Sequence, residues 1–393
     1  MRKKWQLFYA TDFQSLMYPC FTFCRILGTF PYKINASTIE TSKPRYILST
    51  VIICVFCVLD VKFIHDMISK EITFEDVTTN FEILTFYTFS GFIVIITHVL
   101  SSPRMRLLQT IMEISSTLPP ELYQKLSRLI YAKDIFGLFY LIGKLFAFYI
   151  LFYMAEVGIS YIIFEVYTVL VVFTMDMLYM NCVCTLKACF KEINNNLLHM
   201  QAFIVNNEPC VPTLPMMFCY GQRNAFLIMN LKALKKQHLM VSNTVQMLNT
   251  IFSLQLLATI VIIFAEIIFG LYFHVVQYNR YDGFFINLDE EIGLIFLETI
   301  YYVTKMALLV WACETGKNQA QEIRTTIHDV LNISRDEQIK NELQLFSLQI
   351  LHCKNTFSAK GLNVDATFLA TVNTRSFALI NEIYHVYFFS LCL

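Results

Sequence analysis

Six apolar windows, each about the length of a membrane-spanning helix, constrain this chain more than any other feature. They are Tyr46–Ile64, Phe81–Val99, Ile135–Val157, Ile159–Leu186, Leu248–Val276 and Ile292–Ala312. A helix of about 20 apolar residues crosses the hydrocarbon core of a bilayer and satisfies its backbone hydrogen bonds internally. Of the 393 residues, 56% are hydrophobic and only 15% are charged, whereas soluble domains carry roughly a quarter charged residues. The sequence therefore predicts an all-α, polytopic membrane protein.

The placement of Lys and Arg predicts the orientation of these crossings. Twenty-four of them lie in the N-terminal segment and in the second, fourth and sixth connections. The first and fifth connections hold one each, Lys70 and Arg280. Cytoplasmic loops carry the excess of basic residues, so the N-terminus is predicted to be cytoplasmic. If the closing segment forms a seventh crossing, the C-terminus lies outside, which is the reverse of a G-protein-coupled receptor.

The crossings divide the chain into four predicted regions. They are a cytoplasmic N-terminal segment (1–45), a transmembrane ligand-binding bundle (46–312, with a cytoplasmic helical loop at 187–247), cytoplasmic anchor helices (313–356), and a hinge with a divergent or truncated last crossing (357–393). In the anchor region Ile339, Leu343, Phe346 and Ile350 recur at helical spacing, which predicts an amphipathic helix. Such cytoplasmic helices either pack within the chain or join subunits at a base, and the sequence leaves both open.

Charge and motifs exclude several classes of function. The formal net charge is zero, so the chain lacks the basic footprint of a nucleic-acid-binding protein. The start, "MRKKWQLFYATDFQ", has no apolar core of a signal peptide and is interpreted as a retained cytoplasmic tail. No P-loop, HExxH, GxSxG or kinase signature is present, so no enzyme activity is predicted. The cysteines and histidines lack metal-ligand spacing, and no metal or cofactor is expected.

Ionisable and aromatic residues within the crossings supply the candidate ligand-binding set. Charged groups in a membrane usually face a bundle interior or a water-filled cavity. Five glutamates from five crossings, six tyrosines at similar depth and one lysine form the set: Glu82, Glu156, Glu165, Glu266, Glu298, Tyr87, Tyr153, Tyr161, Tyr272, Tyr301, Tyr302 and Lys305. Carboxylates accept hydrogen bonds from hydroxyl or ammonium groups, and aromatic faces cover an apolar body. The set therefore predicts an outward-facing site for a polar organic ligand.

A plainer interpretation of the same residues stays open. Tyrosines near the membrane interface form aromatic belts in most membrane proteins. Glu298 and Lys305 are seven residues apart on one helix face and would neutralise each other there. The crossings also contain Lys144 and Asp176, which are not assigned to the site.

Three kinds of seven-crossing protein are considered. A G-protein-coupled receptor disagrees with the orientation, and all nine prolines lie outside the predicted crossings. A secondary transporter typically has internal repeats and helices broken at Gly or Pro; neither is found, although the membrane carboxylates keep this alternative open. A ligand-gated channel needs an outer ligand cavity, a gating helix and a cytoplasmic base. The inverted orientation and the long inner helices agree with this alternative, although neither is diagnostic of it.

One stretch resembles a known family. "ELQLFSLQILHCKNTFSAKGLNVDATFL", Glu342 to Leu369, resembles the signature region of insect gustatory receptors. In that family a cytoplasmic helix with an F-x-x-Q pattern leads to F-x-A-x-G, then to an acidic or Asn residue and the final crossing. The matching positions are Phe346, Gln349, Phe357, Ala359, Gly361 and Asp365. "LKACFKEINNNL", Leu186 to Leu197, is similar to the family's stretch at the foot of the fourth crossing.

The resemblance implies a gustatory receptor: a ligand-gated, non-selective cation channel in the plasma membrane of chemosensory neurons. It implies a tetramer, formed with itself or with other receptor subunits in membrane lipid, and a small-molecule tastant such as a sugar or a bitter compound. Odorant receptors share the layout, so a volatile ligand stays open. The family's closing T-Y…Q-F pattern is absent, and Asn373-Thr374-Arg375 interrupts the expected crossing. Either an alternative or mis-spliced last exon or a divergent receptor explains this, and no pore role is assigned beyond Val372.

Overall fold

The computed structural model describes residues 8–35, 38–69, 77–154, 159–206, 214–280, 288–371 and 374. The helices within these ranges are α1 (Phe13–Ile26), α2 (Lys43–Ile68), α3 (Val77–Val99), α4 (Ser101–Ser115), α5 (Pro120–Met154), α6 (Ile159–Asn206), α7 (Leu214–Arg280), α8 (Leu288–Ile333) and α9 (Glu337–His352). Two short antiparallel hairpins pair β1 (Tyr32–Ile34) with β2 (Ile39–Thr41), and β3 (Ser358–Ala359) with β4 (Leu362–Asn363). The mostly helical, membrane-type fold agrees with the sequence prediction.

Five helices of the described chain are long and apolar enough to cross a membrane. They contain the segments Lys43–Ile68, Thr78–Val99, Ile159–Val205, Asn224–Phe273 and Gly293–Ile333. Helix α5 contains the predicted third window from Ile135 to Met154. Of the predicted seventh crossing, only the helical turns at 366–371 and residue 374 are described. The number of crossings and the side on which each end lies therefore stay predictions.

Three helices are much longer than a bilayer is thick. Helices α6, α7 and α8 have 48, 67 and 46 residues, and at 1.5 Å per residue α7 alone is about 100 Å long. The hydrocarbon core accounts for only about 30 Å. The helical loop predicted at 187–247 is thus formed, over its described residues, by continuations of α6 and α7, while the amphipathic pattern around Phe346 belongs to the separate helix α9. Helix α9 packs against α7 and α8 at this extended end.

Helix α6 is central in the bundle and helix α2 is peripheral, as the buried fractions of their residues show. In the apolar window of α6, 94% of the residues are buried, against 28% in that of α2. Helix α6 packs against α8, α7, α5 and α3, while α2 packs mainly against α3. Helix α2 exposes Ile47, Val51, Val55 and Val58, a surface that lipid would cover. The centre of the bundle therefore lies around α6 and α8.

The N-terminal segment is more ordered than the tail predicted from its sequence. Helix α1 begins with a capping box, in which Asp12 Oδ1 accepts from the Ser15 amide at 2.8 Å and Ser15 Oγ accepts from the Asp12 amide at 3.1 Å. On its inner face Leu16, Met17 and Phe21 are at most 1% exposed. These side chains pack toward α4, α5 and α6. The segment is a structural part of the bundle because it contributes a buried apolar face.

The β3–β4 hairpin explains most of the F-x-A-x-G pattern. Lys360 and Gly361 have φ values of 51° and 88°, and a two-residue turn with both values positive favours glycine. Phe357 and Ala359 are 2% and 0% exposed. The Phe357 ring lies against α8 at Gly316, where an added Cβ would lie 2.7 Å from Phe357 Cε2. The hairpin is thereby fixed to α8 immediately before the last helical turns begin.

Candidate functional site

A buried ammonium group is at the centre of the candidate ligand site. Lys144, on α5, has a side chain that is 3% exposed and lies 3.0 Å from Glu298 Oε1 of α8. Its Nζ also donates a hydrogen bond to the Tyr302 hydroxyl. Three aromatic rings surround the same nitrogen, with centroids at 4.9 Å for Phe86, 5.8 Å for Tyr301 and 4.5 Å for Tyr302. An ion pair wrapped in aromatic faces is the kind of site that binds organic cations.

Three further carboxylates are within electrostatic range of Lys144. Glu82 of α3 also interacts with Glu298. Glu165 of α6 lies beside Tyr87, and Glu266 of α7 faces Lys144 together with the other acids. Glu165 and Glu266 are 4% and 5% exposed. Five helices therefore bring four carboxylates around one ammonium group, an excess of acid that either bound protons or a cationic ligand would offset.

A second polar layer lies on the same helices next to this cluster, with the Tyr301 ring between them, 5.8 Å from Lys144 Nζ and 5.9 Å from Lys305 Nζ. Lys305 Nζ is 2.7 Å from Asp176 Oδ2, and both side chains are at most 5% exposed. Thr259 Oγ1 donates to Asp176 Oδ1 at 2.9 Å. Lys305 is seven residues after Glu298, or about 10 Å along α8. The suggested neutralisation of Glu298 by Lys305 is therefore wrong, because each pairs with a residue of another helix.

The other predicted ligand-binding residues have different environments. Tyr161 donates to Asp66 Oδ2 at 3.2 Å and packs against Phe63 at 5.3 Å. Tyr272 lies next to Phe273, with ring centroids 5.9 Å apart. The Tyr153 side chain and Glu156 lie outside the described residues. The structure therefore groups Glu82, Tyr87, Glu165, Glu266, Glu298, Tyr301 and Tyr302 with Lys144, and Lys305 with Asp176.

Sequence reasoning noted Lys144 and Asp176 but left both out of the site. Phe86, whose ring faces the Lys144 ammonium, was also missed. A signal for Lys144 was available, since it is the lone basic residue of its window among carboxylates at similar depth. Phe86 had no such signal, because one phenylalanine among 36 is not distinguished by composition.

An apolar groove lies elsewhere, between α1, α5 and α6. It has a volume of about 140 Å³. Its lining includes Cys20, Phe23, Leu138, Phe173 and Met177. Asp134, at one end of this groove, pairs with Lys133 at 2.5 Å and accepts from Asn181 at 3.1 Å. The groove is separate from the Lys144 cluster and contains none of the predicted ligand-binding residues.

The glutamine of the α9 pattern, Gln349, lies in an amide–imidazole network around the buried His238. Gln349 Nε2 is 2.9 Å from the Lys235 carbonyl and 3.1 Å from His238 Nδ1. The other imidazole nitrogen, His238 Nε2, lies 3.5 Å from Asn355 Nδ2. Phe346 packs edge-on against the imidazole at 5.5 Å. Burial lowers the pKa of His238 to about 4, so this imidazole is neutral near pH 7.

An ion pair connects α8 to the start of the last helical turns. Lys317 Nζ is 3.2 Å from Asp365 Oδ2 and 3.4 Å from Glu314 Oε2. Asp365 also caps the following turn, since its Oδ1 accepts from the Phe368 amide at 3.1 Å. The Thr367 hydroxyl and then the Phe368 amide and Lys317 lower the pKa of Asp365. The acidic position of the resemblance therefore has two local roles, an ion pair and a helix cap.

Comparison with known proteins is consistent with this architecture. The profile of the family described as "7tm Chemosensory receptor" matches residues 17–372. Two Drosophila melanogaster proteins, "Putative gustatory receptor 28b" and "Putative gustatory receptor 28a", are each 26% identical, over 140 and 146 residues. These stretches cover 35% and 36% of this chain and 30% and 32% of the relatives. The chain thus matches about a third of the length of each relative.

Solved structures resemble the fold over nearly its whole length. The insect olfactory receptor OR5 from Machilis hrabei has a TM-score of 0.71 and 11% identity, covering 95% of this chain and 98% of that one. The same receptor in complex with eugenol has a TM-score of 0.65 with the same identity and coverage. At this identity the likeness concerns the fold alone.

Proposed function

Since the chain belongs to the 7tm Chemosensory receptor family, we propose that it is a gustatory receptor subunit of a ligand-gated, non-selective cation channel. It acts in the plasma membrane of a chemosensory neuron and opens when a non-volatile tastant binds among the crossings. The observation that carries the proposal is the Lys144 cluster, to which five helices contribute. A ligand that interacts with all five would change their relative positions and so bias a gate.

The chemistry of the cluster favours an amine-bearing ligand over a sugar. Four carboxylates face one ammonium, and a second cationic group would relieve their mutual repulsion. Aromatic rings at 4.5–5.8 Å already surround the Lys144 ammonium, and a ligand ammonium would use similar faces. A sugar offers hydroxyl groups as hydrogen-bond donors but carries no positive charge to pair with an ionised carboxylate.

Assembly into a tetramer is part of the proposal. On α9, Ile339, Leu343, Phe346 and Ile350 pack inward and are at most 8% exposed. The opposite face exposes Leu345, Leu348 and Leu351 at 51–55%. An apolar stripe on a predicted cytoplasmic helix is a typical subunit contact. We propose that it joins copies of this chain or related receptor subunits.

The test is ligand-evoked current in cells that express the chain alone or with related subunits. The ligand panel pairs each amine with its uncharged hydroxyl analogue, and the amines are expected to be the agonists. Replacing Glu298 with Gln or Tyr302 with Phe is expected to raise the half-maximal concentration by about 10- to 100-fold, the value of a charge-assisted hydrogen bond.

Tyr272→Phe is the matched control, because Tyr272 is not among the described residues that contact Lys144, and it should keep the wild-type dose–response curve. Surface labelling separates loss of response from loss of the protein. Identical curves for all three variants would remove Glu298 and Tyr302 from the ligand site. Coupled substrate uptake without conductance would instead support a transporter.

A further inference from the structure

Two arginines lie close together where α1 ends and α2 begins. Arg45 Nη1 donates to the Tyr32 carbonyl at 2.6 Å, and the Arg25 guanidinium lies 5.3 Å from the centre of the Phe30 ring. Burial and then the nearby charge of Arg45 lower the pKa of Arg25. No carboxylate within the described ranges acts on Arg25. The Arg25 guanidinium therefore experiences the positive charge of Arg45 without a carboxylate to offset it.

Arg25 also has an unused hydrogen-bond donor. Its Nε is buried and has no hydrogen-bond partner among the residues the structure describes. A buried donor without a partner costs about 1–3 kcal/mol. An anion beside Arg25 would accept from Nε and would also reduce the repulsion from Arg45. The missing partner is thus expected to be negatively charged.

The surroundings of this pair are apolar and exposed. Ile26 is 73% exposed on α1, and Ile47 is 63% exposed on α2. The end of α1 packs on the side of α2, since a Cβ at Gly28 would lie 2.7 Å from Ile52 Cδ1. Ile52 is about 10 Å along α2 from Arg45, on the membrane side. Arg25 therefore lies between the predicted cytoplasmic boundary and side chains that lipid would cover.

We propose that Arg25 and Arg45 bind the phosphate of an anionic phospholipid in the inner leaflet. Guanidinium groups hold phosphate through paired hydrogen bonds, and juxtamembrane basic residues are attracted to the anionic cytoplasmic leaflet. The exposed Ile26 and Ile47 would contact the acyl chains. This apolar contact selects a lipid over a free phosphate ion. The site fixes the junction of α1 and α2 to the membrane and is independent of the ligand proposed above.

The experiment measures the thermal stability of the purified full-length chain in a mild uncharged detergent. Dioctanoyl phosphatidate is added as the lipid probe, with dioctanoylglycerol and inorganic phosphate as separate arms. Phosphatidate is expected to raise the melting temperature of the wild type in a saturable way. Arg25→Gln and Arg45→Gln should each weaken that response on the order of tenfold in lipid concentration.

Lys33→Gln and Lys43→Gln are matched controls, since they remove exposed positive charges near the same junction. They should retain the wild-type response. If Arg25→Gln does not fold, Arg25→Lys replaces it, because it keeps the charge and loses the paired hydrogen bonds, and it should show the same weakened response. An equal response in the arginine and lysine variants would overturn the site. Stabilisation by inorganic phosphate alone would overturn the lipid assignment, and stabilisation by dioctanoylglycerol would overturn the role of the phosphate.

Discussion

Replacing Gly316 with Ala tests whether the F-x-A-x-G hairpin is fixed to α8 as the structure describes. A Cβ at this position would lie 2.7 Å from Phe357 Cε2, 3.2 Å from Phe357 Cζ and 3.3 Å from Val183 Cγ1. Ordinary contacts between carbon atoms are at about 3.5–4.0 Å. The added methyl group therefore overpacks a site where Phe357 is 2% exposed.

The expected change in folding stability caused by Gly316→Ala is the sum of two opposing effects. Overpacking of a close-packed site costs about 1–3 kcal/mol, whereas alanine is favoured over glycine in a helix by about 1 kcal/mol. The expected net result for Gly316→Ala ranges from little change to a destabilisation of about 2 kcal/mol. Gly143→Ala isolates the second effect, the helix preference for alanine, because nothing lies within 4 Å of its added Cβ. The difference between the two variants should therefore be about 1–3 kcal/mol.

The assay is the melting temperature of detergent-solubilised protein, measured together with ligand-evoked current. A difference of 1.4 kcal/mol changes an equilibrium constant tenfold, so a displaced hairpin should also shift the dose–response curve. Gly316→Ala combined with Phe357→Leu should be less destabilised than the sum of the single variants, by about 0.5–3 kcal/mol. Equal melting temperatures for Gly316→Ala and Gly143→Ala, with additive double variants, would refute the placement of the Phe357 ring.

Three further predictions concern charge and orientation. Lys305→Met or Asp176→Asn alone should destabilise the protein by about 3–5 kcal/mol, since each leaves its buried partner unpaired, while the double replacement should recover most of the loss in a melting assay. His238 has a pKa of about 4 against an ordinary 6.5, so the unfolded chain binds the extra proton first, and stability should fall as pH drops from 6.5 towards 4. Melting at pH 7.5 and 5.5 should show about 1 kcal/mol of this loss, absent in His238→Gln and kept in His352→Gln. An N-terminal tag should be stained only after permeabilisation, and staining of intact cells would reverse the predicted orientation.

The sequence predicted those parts of the fold that depend on local composition. An apolar run of about 20 residues specifies a crossing helix whatever its neighbours are, and five such helices are present in the described chain. The amphipathic spacing of Ile339, Leu343, Phe346 and Ile350 likewise predicted the buried face of α9. The glycine of the hairpin turn follows from backbone sterics alone, since Gly361 has a φ of 88°. Each of these depends on residues that are close together in the chain.

The N-terminal segment shows where local reasoning was insufficient. Helix α1 is short and contains Pro19, and its sequence has no window long enough to cross a membrane. Its inner face is buried only because α4, α5 and α6 pack against it. Isolated helices of this length are marginal in water, so tertiary packing decides whether they form.

The sequence by itself determined that the chain is a membrane protein of long helices. It also determined that the basic residues are concentrated in alternate connections, and which carboxylates the crossings contain. Only the tertiary structure decided which charges meet. Lys144 pairs with Glu298, which is 154 residues away in the sequence. Lys305 pairs with Asp176 and not with Glu298, although Glu298 is much nearer in the sequence. The physical reason is that a buried charged group pairs with the oppositely charged group that helix packing brings within about 3 Å. The composition decides which charged residues are present. The rotation and crossing angles of the helices decide which of those residues meet.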